Sequence, residues 1–200
     1  MFRIIYVPIE SLEERYSKQW NRWFPKEFDN KGISYVTIDP PSLSDKINEG
    51  AFLDVCNTNY YKSLQMTEIC RMIYNKDVTD EDVFLFADAW NPSLTNLSYI
   101  RNGLGLKFKI VGCLHAGSYD PYDFLAKKGM EYWAEDIENS WFKILDKIFV
   151  ATNFHKRFVC SKRKIDPKKV IVTGFPIYDE QRHDLQYDSS RQCLYDNRDF

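Results

Sequence analysis

His115 directly follows the apolar run 110–114, and Asp88 directly follows the apolar run 83–87. Ligands of open α/β sheets bind beyond the carboxyl ends of the strands, so residues at such positions are the first to weigh for chemistry. An imidazole at a strand end titrates near neutrality and suits proton transfer; its structural alternative is a hydrogen bond to loop backbone. Asp88 can orient that histidine or bind a hydroxyl, or else cap the helix that begins after Pro92. Glu10 follows the first apolar run and is either a substrate contact or a solvated turn residue. Trp90 is a stacking face for a ligand or packs on the helix beneath it.

The same rule adds Asn91 beside Trp90, and Gly117, Ser118 and Asp120 beyond His115. It adds Thr58 and Asn59 after the run 51–55, Thr152 and Asn153 after 147–151, and Gly174, Phe175 and Pro176 after 170–173. Carboxylates, amides, small residues and an aromatic face are groups that hold sugars and other polyols.

Between His155 and Lys169 stand Lys156, Arg157, Lys162, Arg163, Lys164, Lys168 and Lys169, opposed only by Asp166. This segment is either a phosphate-contacting face for a nucleic-acid acceptor or a solvated helix end, where lysines are favourable in any case. Other chemistries lack their motifs. No G-x-G-x-x-G follows the first apolar run, and Glu10 in that turn repels a pyrophosphate, which argues against a dinucleotide dehydrogenase. No P-loop and no G-x-S-x-G elbow occurs. His115, His155 and His183 are scattered, and the five cysteines form no C-x-x-C, so no metal site is expected.

The elements that carry these residues alternate. Residues 3–7 read as a strand ended by Pro8. Leu12, Tyr16, Trp20, Trp23 and Phe24 recur at helical spacing, with Ser11 and Glu14 as a capping box, and Pro25 is expected to stop this helix. Residues 33–38 read as a second strand and 51–55 as a short third. Met66, Ile69, Cys70 and Ile73 mark a second helix. The run 83–87 is apolar at every position, as strands of a parallel sheet covered on both faces are. Leu94, Leu97 and Ile100 mark a helix ending near Gly103 and Gly105. Strands at 108–114, 147–151 and 170–173 alternate with helices over 130–145 and 153–162. The pattern predicts a doubly wound parallel α/β domain over residues 1–177, with the first strand central and helices on both faces, followed by a linker or tail over 178–200.

Composition agrees with that size. The 200 residues are 44% apolar and 28% charged, as in ordinary globular domains. A net charge of -2 excludes a globally basic nucleic-acid binder but not a local basic patch. No apolar run reaches membrane-spanning length and the N-terminus does not read as a signal peptide, so a cytoplasmic protein is expected. Cys113 sits in an apolar run and reads as a buried thiol.

Four segments resemble one family. Residues 147–154 (KIFVATNF) resemble the late strand-to-helix step in the N-terminal Rossmann-like domain of GT-B glycosyltransferases. Residues 170–177 (VIVTGFPI) are similar to that family's exit strand, whose Gly-x-Pro leads to the interdomain linker. Residues 114–117 (LHAG) are similar to its strand-His-small loop, and 12–20 (LEERYSKQW) resemble phage-encoded members. The resemblance implies the acceptor-binding half of an enzyme that moves a sugar from a nucleotide-sugar co-substrate to a hydroxyl acceptor, with no other cofactor. The acceptor it implies is a small molecule, a lipid or a modified nucleic-acid base. His115 is then a candidate base or sugar-contacting group. Many members carry glycines after the first strand, where this chain has Pro8, Ile9 and Glu10. The family's second domain binds the donor, and this chain ends where that domain begins; a separate or missing donor-binding domain is therefore implied. The alternative is a non-catalytic α/β binding or interaction module derived from such a domain.

Overall fold

Six short runs rich in Ile, Val, Phe and Tyr pair side by side, each in parallel with its neighbours. In the computed structural model, which describes residues 2–11, 17–43 and 54–175, they are β1 (Ile4–Val7), β2 (Tyr35–Thr37), β3 (Val83–Phe86), β4 (Lys109–Cys113), β5 (Lys147–Val150) and β6 (Val170–Val172). The sheet order is β2-β1-β3-β4-β5-β6. The register places Ile5 beside Phe84 and Phe84 beside Ile110, and two residues further along β4 it places Gly112 beside Ile148 and Ile148 beside Val170. This is a doubly wound, Rossmann-like α/β fold. The predicted runs 147–151 and 170–173 match β5 and β6 to within a residue at either end.

Helices α1 (Ser17–Asn30), α2 (Val55–Tyr74), α3 (Ser93–Gly103), α4 (Phe124–Lys127), α5 (Glu131–Ile144) and α6 (Asn153–Arg163) fill the crossovers. Right-handed connections put helices on opposite faces when the chain reverses its direction across the sheet. The chain steps outward from β1 to β2 and then returns past β1 to β3. Accordingly α1 lies on one face, and α2, α3, α5 and α6 lie on the other.

The larger core is on the α2–α6 face. It joins Ile5, Phe84, Phe86, Ile110 and Ile148 to Ile69 of α2, Leu94 and Leu97 of α3, Phe142 of α5 and Val159 of α6. On the second face Trp20 and Phe28 of α1 pack on Tyr6, Leu85, Ala87 and Cys113. Burial pushes the Cys113 thiol up to about 12, so it is an inert core group. The remainder of that face is thinly covered: Val111 and Phe149 are half-buried, and Ile171 is 39% exposed.

Three sequence expectations are corrected. Pro25 does not end the first helix but lies inside α1. Trp20, Phe24 and Phe28 are spaced four apart and all meet the Tyr6 side of the sheet, and this burial outweighs the hydrogen bond that proline removes. No strand ends at Val55: Asp54 accepts a hydrogen bond from Asn57 N at 2.9 Å and caps α2, which Val55 opens. Residues 51–53, the capping-box partner Glu14 and the tail 178–200 lie outside the described residues. Finally, β1 is interior but not central; the middle pair is β3–β4.

Candidate functional site

The chain reverses its path across the sheet between β1 and β3, and in open α/β sheets such a switch point is where the carboxyl ends of the strands form the ligand crevice. From β1 come Pro8, Ile9 and Glu10. From β3 come Ala87, Asp88 and Trp90. His115 leans in from β4.

Glu10 is buried, and its Oε1 accepts from Thr58 Oγ1 at 2.8 Å. Thr58 belongs to the first turn of α2, not to a strand end; the capped start of α2 therefore lies over the end of β1. One turn further, Lys62 Nζ donates to Trp90 O at 2.6 Å and stands 3.4 Å from Asp88 Oδ2. Gln65 donates to Pro8 O and Ile38 O. These contacts fix three strand ends to one helix. Asp88 Oδ1 also accepts from Trp90 N at 2.9 Å, closing the turn after β3.

His115 lies between Trp20 and Phe175, with ring centroids 5.0 and 4.9 Å away and planes tilted by 42° and 38°. Its Nε2 lies 2.6 Å from Ala87 O. A carbonyl only accepts, so Nε2 carries the proton and Nδ1 is the basic nitrogen of the neutral ring. The tautomer leaves one defined ring atom, Nδ1, able to take up a proton. His115 thus makes a backbone bond and also stands at the strand-end rim.

The other predicted residues are placed as follows. Asn59 is exposed on α2, corrected from a strand end to a helical position, and bonds Val55 O. Asn91 is buried, and its Oδ1 accepts from Ser93 N at the start of α3. Trp90 packs edge-on against Trp133 and Trp141, and its Nε1 donates to Glu138 at 3.0 Å. Asp120 accepts from Tyr122 N. Thr152 caps α6 through His155 N at 3.0 Å, and Asn153 opens that helix, exposed. Gly117 lies so close to Tyr119 that a Cβ would overlap the ring.

Beside the crevice is a polar cluster that sequence reasoning missed. Glu138 of α5 has no solvent exposure. It accepts from Ser118 N at 2.6 Å, Ser118 Oγ at 2.9 Å, Trp90 Nε1 and Arg163 Nε at 2.9 Å. Arg163 also donates to Ser118 Oγ and lies 5.5 Å from the centre of the Tyr119 ring. Tyr119 Oη is 2.5 Å from His155 Nε2. Burial pushes the tyrosine up and His155 down from its usual range; the nearby His115 adds to the latter and Asp120 opposes it. The available signal was spacing: Ala134, Glu138 and Trp141 share the buried stripe of α5, which puts a carboxylate among core positions.

Among the described residues no group of His, Cys, Asp and Glu is arranged to hold a metal, and no helix is long and apolar enough to cross a membrane. No known family model matches the chain, and no curated protein matches it either.

Proposed function

We propose that the chain is the acceptor-binding half of a glycosyltransferase, working with a donor-binding domain that holds the nucleotide-sugar. The observation that carries this reading is His115, fixed at the rim of the β1–β3 crevice with Nδ1 as its basic nitrogen and Asp88 on the adjacent strand. In the reaction, the acceptor hydroxyl oxygen attacks the anomeric carbon. The nucleoside diphosphate leaves with the electrons of the broken bond, and Nδ1 takes the hydroxyl proton. Asp88 supplies an acceptor for another hydroxyl of a polyol, while the buried Glu10 positions α2 through Thr58.

A second reading is a binding module without catalysis. It is favoured by the hydrogen bonds that Asn91, Ser118 and Thr152 already commit to backbone or to Glu138. Sugar transfer from a panel of nucleotide-sugars, measured with the donor-binding partner present, separates the two. In the first reading His115→Ala lowers turnover by about 10²-fold or more while the fold survives. A wild-type rate in that variant removes His115 from the mechanism. No transfer with any donor favours the module.

A further inference from the structure

Helix α6 turns two different stripes to its surroundings. Val159 and the ion-paired Arg163 face inward. Phe154, Arg157 and Lys162, at positions i, i+3 and i+8, lie outward, and Phe158, half-buried against the core and Tyr119, stands between the two stripes. Phe154 is 66% exposed and stacks on Phe158 with centroids 5.7 Å apart and planes 23° from parallel. Lys162 Nζ continues the row, 5.9 Å from the Phe158 centroid. The Phe154 ring gains nothing from the core; its outer face, backed by the half-buried Phe158, is an open planar surface.

The row runs down to the amino-terminal edge of the sheet. There α6 ends at Lys164, in the left-handed conformation with φ 51°. A cleft of about 390 Å³ opens between α5 and α6, lined by Lys143, Lys162, Lys164 and Lys169 against Glu135 and Asp166. Lys147, at the start of β5, reaches Lys168 O at 2.9 Å and extends the edge. Some of this charge is used within the fold. Arg163 is bound to Glu138, and the Lys169 ammonium donates to Phe142 O and Lys143 O at the end of α5. Among the described residues, Lys143, Lys147, Arg157, Lys162, Lys164 and Lys168 form no ion pair. A chain of net charge -2 thus concentrates unneutralised cations beside an aromatic step.

We propose that the outer face of α6 and the lysine edge below it form a track for single-stranded nucleic acid. A base stacks on Phe154, and the phosphates follow Arg157, Lys162, Lys164 and Lys168. Aromatic faces interleaved with cations are how single strands are held without sequence preference. A lipid surface takes a broader apolar face than one exposed ring. The proposal does not rest on sugar transfer, and its test uses no donor.

The probe is a fluorescein-labelled oligo-dT of about 16 nucleotides, followed by anisotropy with the full chain in about 50 mM salt. Saturable binding is expected, weakening steadily as salt rises. Charge reversal of Lys162, Lys164 and Lys168 to Glu should weaken it by about tenfold or more. Phe154→Ala should weaken it by about fivefold or more, with the salt dependence unchanged. The distant control K26E/K31E, an exposed pair on and just beyond α1, should leave it near wild type. All these positions are exposed, and circular dichroism verifies the fold. Absence of saturable binding overturns the proposal. So does equal loss in the control, which would mean net charge alone, or binding only to phosphatidylserine vesicles, which would mean a membrane surface.

Discussion

Arg163 Nη2 lies 2.9 Å from Glu138 Oε2, joining the last turn of α6 to the middle of α5 through a carboxylate that water does not reach. Ser118 and Trp90 fill the remaining acceptor positions, so the loops after β3 and β4 are tied to the same two helices. The pair does not stabilise by charge alone, because taking both ions out of water costs much of what their attraction returns. Its contribution is positional: it holds the loop that begins at His115.

Removing one partner is therefore worse than removing both. Glu138→Ala should lower unfolding free energy by about 3–5 kcal/mol, because Arg163 then stays buried without its counter-ion. Glu138→Leu combined with Arg163→Met should recover at least half of that loss. Urea denaturation of the three proteins measures it, and a double variant as weak as the single one would contradict the argument.

Gly117→Ala should destabilise by about 1–3 kcal/mol, the usual cost of overpacking. The new Cβ would overlap the Tyr119 ring and stand 3.0 Å from Glu138 Oε1. That ring cannot swing aside cheaply, since it is held by His155, Phe158 and Arg163. In NMR spectra the His155 ring signals should shift as the Tyr119 bond breaks. Unchanged His155 signals in a fully stable variant would argue against the packing described.

Stability should fall on mild acidification because of His155. Burial lowers its pKa from the ordinary value of 6.5. Between the lowered native value and 6.5 the unfolded chain binds more protons, so stability rises with pH across that window. The contribution is complete above 6.5, declines as pH falls below it, and is gone once pH drops beneath the native value. His155→Gln should flatten this part of the stability–pH curve. Denaturant midpoints taken across the window check the slope.

Pro25→Ala should stabilise the protein by about 1–3 kcal/mol by restoring the bond that proline denies to α1. Thermal unfolding of the variant tests this. A lower midpoint would mean that the proline instead acts by restricting the unfolded chain.

The parallel sheet was legible because 83–87 is apolar at every position, and α3 because Asn91 and Pro92 precede a clean periodic stripe. The strand-end rule placed Glu10, Asp88 and His115 at the carboxyl-end rim of the sheet for the same reason: a strand end is local. Other features depended on distant partners. Pro25 reads as a stop until Tyr6 gives Trp20, Phe24 and Phe28 a surface to bury. Trp90 reads as a stacking face until Trp133, Trp141 and Glu138 enclose it. Thr58 meets Glu10 across 48 positions, a contact no local pattern encodes.

The uneven clothing of the sheet also governs how the molecule comes apart. The core beneath α2, α3, α5 and α6 closes without help from α1, whereas α1 rests on a small aromatic patch centred on Tyr6. Local opening follows the least-buried cooperative unit. Helix α1 and the edge strand β2 should detach together while β3 to β6 stay folded, so amide exchange in the chain has two tiers, and the first passage to the unfolded state begins at β2.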